Sequence, residues 1–470
     1  MTAPAAPEHA APHARRVAIV GAGFAGTMVA VHLLQAGVAV DVVLIEQRGR
    51  FGVGLAYGTA APEHLLNVPA AGMSPYPDQP SAFIDWLRER TPGVASDAFA
   101  ARRDYGAFLQ AVLERAVIGS AAHGAVLRRV TGEVIDLEGD VDGVIVALAS
   151  GERIRADAIV LATGNLPARD PLEPLRPSIP PGRYREAWSP GALDGIAADD
   201  TVLLLGTGLT AVDLILSLRR RGHVGRTVAL SRRGLLPQGH QPFPPLVSDF
   251  KPQDLRGAGS VRRLVRDLRR AALAEETFGG DWRSVVGAMR PHTQAIWGGL
   301  PAVERARFLR HVRPFWDTHR HRMAPQVSDS IDTLLAIGAI EVRAGRVTDV
   351  RHDGTTLRVS WWPRGGASSE ELEAAWIINA TGPSPDLRGR TSRLFEALRE
   401  RGLIRPDGLG LGLDATQEGA VIGRDGTASE RIFALGVLRA GGLWEATAVP
   451  EIRIQASDVA GRVLRRTMTA

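Results

Sequence analysis

Residues 16–48 decide the fold, and they read RVAIVGAGFAGTMVAVHLLQAGVAVDVVLIEQR. The apolar run Val17–Val20 predicts a buried strand that leads directly into Gly21, Gly23 and Gly26. The apolar spacing after the glycines predicts a helix. A second apolar run then predicts another buried strand, which ends at an acidic residue. This order of strand, glycine turn, helix and strand is typical of the βαβ unit of a parallel α/β sheet.

The three glycines have separate tasks in such a unit. Gly21 permits the tight turn, Gly23 lets the backbone approach a pyrophosphate, and Gly26 lets the helix pack on the strand. Free N–H groups at the helix N-terminus attract the phosphates. Glu46 follows Gly26 by about 20 residues, where a carboxylate accepts hydrogen bonds from ribose hydroxyls. The segment therefore predicts a dinucleotide site rather than a βαβ unit without a ligand. The site residues are Gly21, Gly23, Phe24, Ala25, Gly26, Glu46 and Gln47.

A second glycine turn lies in residues 200–234, which read DTVLLLGTGLTAVDLILSLRRRGHVGRTVALSRRG. The positions that correspond to Gly21, Gly23 and Gly26 are Gly206, Gly208 and Ala211 in this turn. Where the first unit has Glu46, this unit has Arg232 and Arg233. Arginine accommodates a 2′-phosphate through charge-assisted hydrogen bonds, whereas an acid would repel it. The segment predicts an NADPH site, with NADH the less favoured cofactor. The alternative is that both arginines lie in a solvated turn.

Composition excludes several classes of protein. The chain has 470 residues, a net charge of +5 and no cysteine. Without cysteine there is no disulfide scaffold, thiolate metal site, Cys nucleophile or Cys-pair flavin chemistry. We predict no metal site and no nucleic-acid partner. Residues 1–14 are rich in Ala and Pro and predict a disordered tail rather than a signal peptide. No apolar run approaches the ~18 residues of a membrane span, so we expect a cytoplasmic protein.

Three further segments carry a family resemblance. They are GVGLAYGTAAPEHLLNVPAAGMSPYPDQP at 52–80, SRRGLLPQGH at 231–240 and WDTHRHRMAP at 316–325. With the two glycine turns, they resemble the bacterial FAD/NAD(P)-binding flavoprotein family, whose members include an FAD-dependent urate hydroxylase and amino-acid N-oxygenases. The resemblance implies an α/β fold with two Rossmann-like dinucleotide-binding domains. It also implies FAD and NADPH as cofactors.

The resemblance implies a domain order in which the NADP domain is inserted into the FAD domain. The FAD domain would span residues 15–198 and 366–470. The NADP domain would span 199–365, with a helical insert at about 259–338.

Two strands ending in Ala-Thr-Gly would mark where the chain leaves and re-enters these domains. The first of them supplies Ala162, Thr163 and Gly164 to the FAD site. Near the C-terminus, a strand would close the FAD sheet before Gly436, and a helix from about Val449 would point its N-terminus at the flavin. Glu445, just before this helix, would also contact the flavin.

The activity implied is that of an NAD(P)H-using flavin monooxygenase acting on O₂ and a small, anionic substrate through a flavin C4a-hydroperoxide. Urate is the favoured substrate. One alternative is N-oxygenation of an amine or amino acid. A second is an NADPH-dependent flavin reductase that passes electrons to a protein or quinone acceptor, and a third is a non-catalytic flavin sensor.

Candidate catalytic residues lie in the 52–80 segment. Asn67 could hydrogen-bond the flavin or the reacting oxygen, and His64 could move a proton near neutral pH. Their alternatives are a turn-stabilising Asn and a hydrogen-bonded loop His. Predicted pocket residues are Tyr57, Met73 and Ser74. If His319 and Arg322 lie on one helix, they share a face and could bind an anion. The alternative for these two is a salt-bridge patch at the surface or between domains.

Overall fold

The computed structural model describes residues 15–140, 143–242, 245–389, 391–445 and 447–469. The predicted tail, residues 1–14, lies outside them. Two large sheets and one small sheet organise the described residues. No helix among them is both long and apolar enough to cross a membrane.

The first sheet has six strands and contains the first glycine turn. In spatial order the strands are β15 (Ala420–Ile422), β16 (Ala428–Ala434), β7 (Ala158–Leu161), β1 (Arg15–Val20), β2 (Val40–Glu46) and β3 (Val126–Thr131). All neighbours are parallel except β15 and β16. A small antiparallel sheet lies beside it and consists of β4 (Val134–Asp140), β5 (Gly143–Leu148) and β6 (Arg153–Ala156).

Strand β1 is buried on both faces because its side chains alternate between two cores. Val17 and Ile19 pack in a core with helix residues, whereas Ala18 and Val20 pack in a core with the small sheet. The helices that belong to this half of the molecule are α1 (Phe24–Leu34), α2 (Gly54–Tyr57), α3 (Ala82–Arg90), α4 (Arg102–Ser120), α12 (Arg393–Glu400) and α13 (Val449–Thr469).

The second sheet has seven strands and contains the second glycine turn. In spatial order they are β13 (Glu370–Ala374), β12 (Leu357–Pro363), β11 (Ile340–His352), β10 (Thr227–Ser231), β9 (Val202–Leu205), β14 (Trp376–Asn379) and β8 (Tyr184–Glu186). Its helices are α5 (Leu209–Arg220), α6 (Val261–Thr277), α7 (Trp282–Met289), α8 (Thr293–Gly299), α9 (Ala302–His311), α10 (Arg313–Arg320) and α11 (Pro325–Ala336). Six of them, α6 to α11, fall inside the predicted helical insert.

The predicted fold class, two Rossmann-like units with a helical insert, is confirmed by this architecture. The second sheet extends beyond the predicted NADP-domain bounds of 199–365 at both ends. Strand β8 joins it from the N-terminal side, and β13 and β14 join it from the C-terminal side. Three residues of β8 are too few to show a pattern in the sequence. The chain leaves the first sheet after β7 and returns to it after β14, so each Ala-Thr-Gly segment stands at a crossing.

Candidate functional site

The first glycine turn is tightly packed against the first Ala-Thr-Gly segment. Gly21 has φ +102°, and a Cβ there would lie 2.4 Å from the carbonyl oxygen of Ala162. A Cβ on Gly26 would lie 1.9 Å from the carbonyl oxygen of Gly21. Both contacts are with backbone atoms, which cannot move aside as a side chain can. Only glycine fits these two positions in the observed geometry.

A second layer of backbone closes over this turn. The amide of Gly52 donates to the Ala22 carbonyl at 2.9 Å. A Cβ on Gly54 would lie 2.9 Å from the Cα of Gly23. The carboxylate of Glu46 accepts from the Ala22 amide at 3.0 Å. The backbone of the turn and of the 52–54 segment, with the Glu46 carboxylate, therefore forms a cradle at the phosphate-binding end of the helix. This cradle fits the pyrophosphate and ribose of FAD. Gln47 is exposed beside it.

Gly436 lies next to this cradle from the other end of the chain. Its φ is +68°, and a Cβ there would lie 3.9 Å from the Cβ of Ala25. Its amide donates to Oε1 of Gln455 on α13 at 3.0 Å. Tertiary packing thus brings the predicted Gly436 to the start of α1, where Phe24 is buried. This location fits the predicted cofactor contact.

The second glycine turn repeats the packing of the first. Gly206 has φ +123°, and a Cβ there would lie 2.3 Å from the carbonyl oxygen of Ala380 in the second Ala-Thr-Gly segment. The hydroxyl of Thr207 donates to the Leu235 carbonyl at 2.6 Å. It also lies 2.9 Å from the hydroxyl of Ser231 at the end of β10. These bonds tie the turn to the segment that carries the predicted arginines.

A cavity of about 620 Å³ opens over the second turn. Its lining includes Gly206, Gly208, Arg232, Arg346, Asp317 and His321. The exposed side chains of Arg232 and Arg346 supply positive charge. Asp317 lies on α10, and His321 directly follows that helix. The volume falls within the range of small-molecule sites, and the donors fit an NADP phosphate. Arg346 was missed because nothing near it in the sequence resembles a dinucleotide motif.

Arg233, the other predicted arginine, has a different environment. Its guanidinium lies 5.0 Å above the ring of Phe315 on α10, and it is not among the residues that line the cavity. Arg233 therefore joins the turn to the helical insert, and Arg232 remains the candidate for the 2′-phosphate.

His64 lies between the two halves of the molecule. Its Nδ1 is 2.8 Å from the hydroxyl of Thr59. Its Nε2 is 3.1 Å from the carbonyl oxygen of Asp213 and 2.9 Å from the hydroxyl of Ser217, both on α5. Both ring nitrogens are thus hydrogen-bonded and the ring is buried. This is the hydrogen-bonded loop His of the alternative interpretation, and it has no nitrogen left for a reacting group.

Asn67 lies where its loop meets the residues before the helical insert. Its backbone carbonyl oxygen accepts a hydrogen bond from Nε2 of His240 at 3.1 Å. Burial, with Arg322 nearby, lowers the pKa of His240 to about 4, so His240 is a neutral donor at neutral pH. This contact involves only the backbone of Asn67, so its side chain stays a predicted catalytic group.

The three predicted pocket residues have structural contacts instead. The Ser74 hydroxyl is fully buried and donates to the Gln79 carbonyl at 2.5 Å. Met73 is part of the core of the first half. Tyr57 packs edge-on against Tyr105 at 4.7 Å, and burial raises the pKa of Tyr57 to about 12. Ser74 and Met73 thus stabilise the loop rather than face a substrate.

His319 and Arg322 do not share a helix face. Helix α10 ends at Arg320, so Arg322 lies outside the helix that contains His319. Both side chains nevertheless reach Trp282: the His319 ring lies 4.8 Å from its ring, and the Arg322 guanidinium 5.7 Å from it. The two residues meet through α7 and not through helical spacing.

Glu445 is the one non-glycine residue with positive φ in the described part of the chain, at +65°. Its carboxylate accepts from Nε1 of Trp316 and, at 2.9 Å, from Nε of Arg320. Both partners belong to α10. The predicted flavin contact of Glu445 is thus replaced by an anchor between the helical insert and the segment before α13.

Two other contacts strengthen this anchor, and neither could be read from the sequence. The rings of Trp297 and Trp444 stack with their centroids 4.8 Å apart. Arg290 forms a bidentate ion pair with Glu451 in the first turn of α13, at 2.7 and 3.0 Å. The helical insert is therefore fixed over the C-terminal part of the FAD half.

Known proteins resemble the chain at two levels. Residues 18–166 match a family model described as FAD-NAD(P)-binding. No curated protein sequence matches the chain.

Solved structures match almost the whole chain. Ornithine hydroxylase from Pseudomonas aeruginosa has 15% identity and a TM-score of 0.64, and covers 97% of this chain and 100% of its own. L-lysine 6-monooxygenase from Pseudomonas syringae has 16% identity with the same TM-score and coverage. Ornithine N-hydroxylase from Kutzneria sp. 744, solved with reduced FAD, NADP⁺ and L-ornithine, has 16% identity, a TM-score of 0.59 and the same coverage.

These matches confirm the resemblance and the predicted FAD and NAD(P) cofactors. At such low identity the solved structures establish the fold and not the substrate. Residues 18–166 match an FAD-NAD(P)-binding domain, and the chain as a whole shares the fold of these flavoproteins with two dinucleotide-binding domains.

Proposed function

We propose that the chain is an NADPH- and FAD-dependent monooxygenase that N-hydroxylates a small amine carrying a carboxylate. The observation that carries the proposal is the cavity of about 620 Å³ over the second glycine turn, lined by Arg232, in a chain whose first turn fits FAD. The similar solved proteins are named as hydroxylases of ornithine and lysine. Their names support N-oxygenation ahead of urate hydroxylation, which the sequence favoured.

A cationic cluster in the helical insert supports an amino acid over a diamine. Arg283, Arg320 and Arg322 surround His240, and all three have largely buried side chains. Asp281 and Glu445 pair with two of these arginines, each at 2.9 Å, so the cluster contains three guanidinium groups and two carboxylates. Burial, with a smaller contribution from Arg283 and Arg320, lowers the pKa of Arg322 to about 10. A substrate carboxylate would be attracted to this cluster.

Different residues of the chain would bind FAD and NADPH. Glu46 would accept hydrogen bonds from the FAD ribose, and the first glycine turn would donate amides to the pyrophosphate. Arg232 and Arg346 would bind the 2′-phosphate of NADPH. Bound FAD supplies the capacity to accept a hydride from NADPH and to activate O₂.

The helical insert would shield the region beside the flavin from water. Its stacked Trp297–Trp444 contact and the buried Glu445 close one side. A dry site strengthens the electrostatic interactions within it and prevents side reactions. Asn67, beside the neutral His240, would offer its amide to substrate or flavin within that closed region.

The test starts with the holoenzyme and anaerobic NADPH, with flavin absorbance as the signal. We expect the flavin to be reduced, and reduced enzyme mixed with O₂ and L-ornithine, L-lysine, cadaverine or urate to hydroxylate an amino acid. Mass spectrometry of the product and assay of hydrogen peroxide would measure the coupling.

Product from urate or cadaverine alone would contradict the proposed substrate class. Fast reduction of quinones with slow reaction with O₂ would favour the reductase. Flavin that NADPH fails to reduce would overturn the proposed function.

A further inference from the structure

A buried ion pair joins the two halves of the molecule. Arg102, the first residue of α4, contacts Asp213 on α5 with both Nη atoms, at 2.7 and 3.1 Å. The side chain of Asp213 is 8% exposed and that of Arg102 is 16% exposed. A bidentate pair at this depth has fixed geometry. Removal of one partner from such a pair would leave an uncompensated buried charge.

Arg102 also holds the loop that leads to Asn67. Its Nε donates to the Leu65 carbonyl at 3.0 Å, and its backbone amide donates to the His64 carbonyl at 2.8 Å. One side chain therefore connects α4, this loop and α5. Since the last belongs to the NADP half and the others to the FAD half, their relative position depends on Arg102.

Other residues of the same contact reinforce the pair. His64 binds the carbonyl of Asp213 and the hydroxyl of Ser217, as described above. Glu63 lies 3.4 Å from Arg220 and accepts from Ser217 at 3.3 Å. We call the residues Glu63, His64 and Arg102 with Asp213, Ser217 and Arg220 the interdomain latch. Every member from the NADP half lies on α5.

The location of the latch on α5 gives it a consequence for cofactor geometry. Helix α5 starts at Leu209, directly after the glycine turn that lines the NADP cavity. Asp213 follows Leu209 by one helical turn, an axial distance of about 6 Å. The latch therefore fixes the phosphate-binding end of α5 relative to the FAD half. Small displacements between reacting groups cost large factors in rate.

We propose that Arg102 is a positioning residue for hydride transfer, acting through Asp213 to set how the NADP half presents nicotinamide to flavin. The inference rests on the proposed function, because it requires that NADPH reduce the flavin. In that step a C–H bond of the nicotinamide would break, its hydrogen would pass with the electron pair as hydride, and an N–H bond would form on the flavin. NADPH is oxidised and FAD is reduced. Arg102 is not among the residues that line the cavity over the second glycine turn.

The experiment compares Arg102→Lys, Arg102→Ala and Asp213→Asn with wild-type holoenzyme in anaerobic stopped flow. We expect the reduction rate at saturating NADPH to fall at least about tenfold in Arg102→Ala and Asp213→Asn, because near-attack geometry is lost. The dissociation constant of NADPH should change less than about threefold, because the phosphate contacts remain. Arg102→Lys keeps the charge and should be intermediate.

Arg103→Ala is the matched control. Arg103 is the next residue of α4, its side chain is 53% exposed, and it lies 3.7 Å from Asp104 on its own helix. Its loss should leave the reduction rate unchanged. A fall in rate equal to that of Arg102→Ala would overturn the proposal, since any arginine at this helix end would then have the same effect.

Further outcomes separate the inference from the proposed function. Wild-type reduction rates in flavin-loaded Asp213→Asn would overturn the inference alone. If Arg102→Ala does not fold, the reduction rates of Asp213→Asn and Arg102→Lys test the inference instead. Both variants retain about the side-chain volume of the ion pair. A rise in the NADPH dissociation constant without a fall in the saturated rate would also overturn it. Failure of wild-type reduction would overturn the proposed function instead.

Discussion

The two glycine turns have the same backbone geometry but differ at the third position of the glycine motif, which is Gly26 in the first turn and Ala211 in the second. In both, the first glycine has positive φ and faces an Ala carbonyl, from Ala162 in the first turn and Ala380 in the second. The first turn needs Gly26, where a Cβ would meet the Gly21 carbonyl at 1.9 Å. The second turn accepts Ala211, which is fully buried. Helix α1 therefore lies closer to its turn than α5 does.

The two turns also differ in the charge that follows the next strand. Glu46 in the first unit accepts a hydrogen bond from the Ala22 amide of its own turn, whereas Arg232 in the second unit lines an open cavity. We propose that one backbone scaffold serves two dinucleotides and that the residue after the strand selects between them. In this proposal the backbone sterics of the turn determine whether a phosphate binds, and the charge after the next strand selects the dinucleotide.

The strongest test of this comparison is Gly26→Ala. The added methyl group collides with backbone, and overpacking of this kind costs about 3 kcal/mol, on the order of 100-fold in FAD affinity. We expect the purified variant to lack most of its yellow colour, measured as the ratio of flavin to protein absorbance. A full complement of FAD would show that the first turn is as wide as the second.

Arg232→Ala tests the charge of the second unit. Loss of a charge-assisted hydrogen bond costs about 1.5–3 kcal/mol, so the KM for NADPH should rise about 10- to 100-fold. The KM for NADH should stay the same, because NADH has no 2′-phosphate. Steady-state kinetics with both cofactors measures the ratio. Arg233→Ala is the control, and an equal effect there would contradict the assignment of the cavity.

Glu46→Gln tests the charge of the first unit. An amide can replace one acceptor but not both, so we expect about tenfold weaker FAD binding, equivalent to about 1.4 kcal/mol. Fluorescence titration of the apoprotein with FAD measures it, with NADPH affinity as the internal reference. An unchanged FAD affinity would show that Glu46 serves only the turn itself.

The smallest effect should come from Ala211→Gly, which makes the second turn match the first. Glycine within a helix costs about 1 kcal/mol relative to alanine, so the thermal unfolding temperature should fall slightly. FAD content and the KM for NADPH should not change, because no contact with cofactor is lost. A large fall in NADPH affinity would show that the Ala211 methyl group sets the width of the second turn.

Both turns could be predicted because their pattern is local. Gly21 to Glu46 lie within one βαβ unit, and strand, turn and helix are set by neighbours in the sequence. The helical insert could also be placed, since apolar spacing marks helices wherever they pack. Strand β8 and the C-terminal strands β13 and β14 lie outside the predicted bounds of the NADP domain yet pair in its sheet, because sheet membership depends on distant partners.

The roles of single polar residues were harder to predict. His64 was expected to move protons, yet it bonds Asp213 and Ser217 on a helix far along the chain. Glu445 was expected at the flavin, yet it anchors Trp316 and Arg320. A buried polar group binds whichever donor or acceptor folding brings near it, and the sequence around such a residue does not identify that partner.

Short stretches of sequence are enough to predict two dinucleotide units, the first ending in an acid and the second in arginine, and the lack of cysteine excludes thiol chemistry. These follow from short-range sterics and charge. Three features are visible only in the folded chain: Arg346 lines the same cavity as Arg232, Glu445 anchors the helical insert, and Arg102 joins the two halves through Asp213. Each of these depends on the packing of segments distant in the sequence, whose partners are chosen by the burial of apolar surface as a whole.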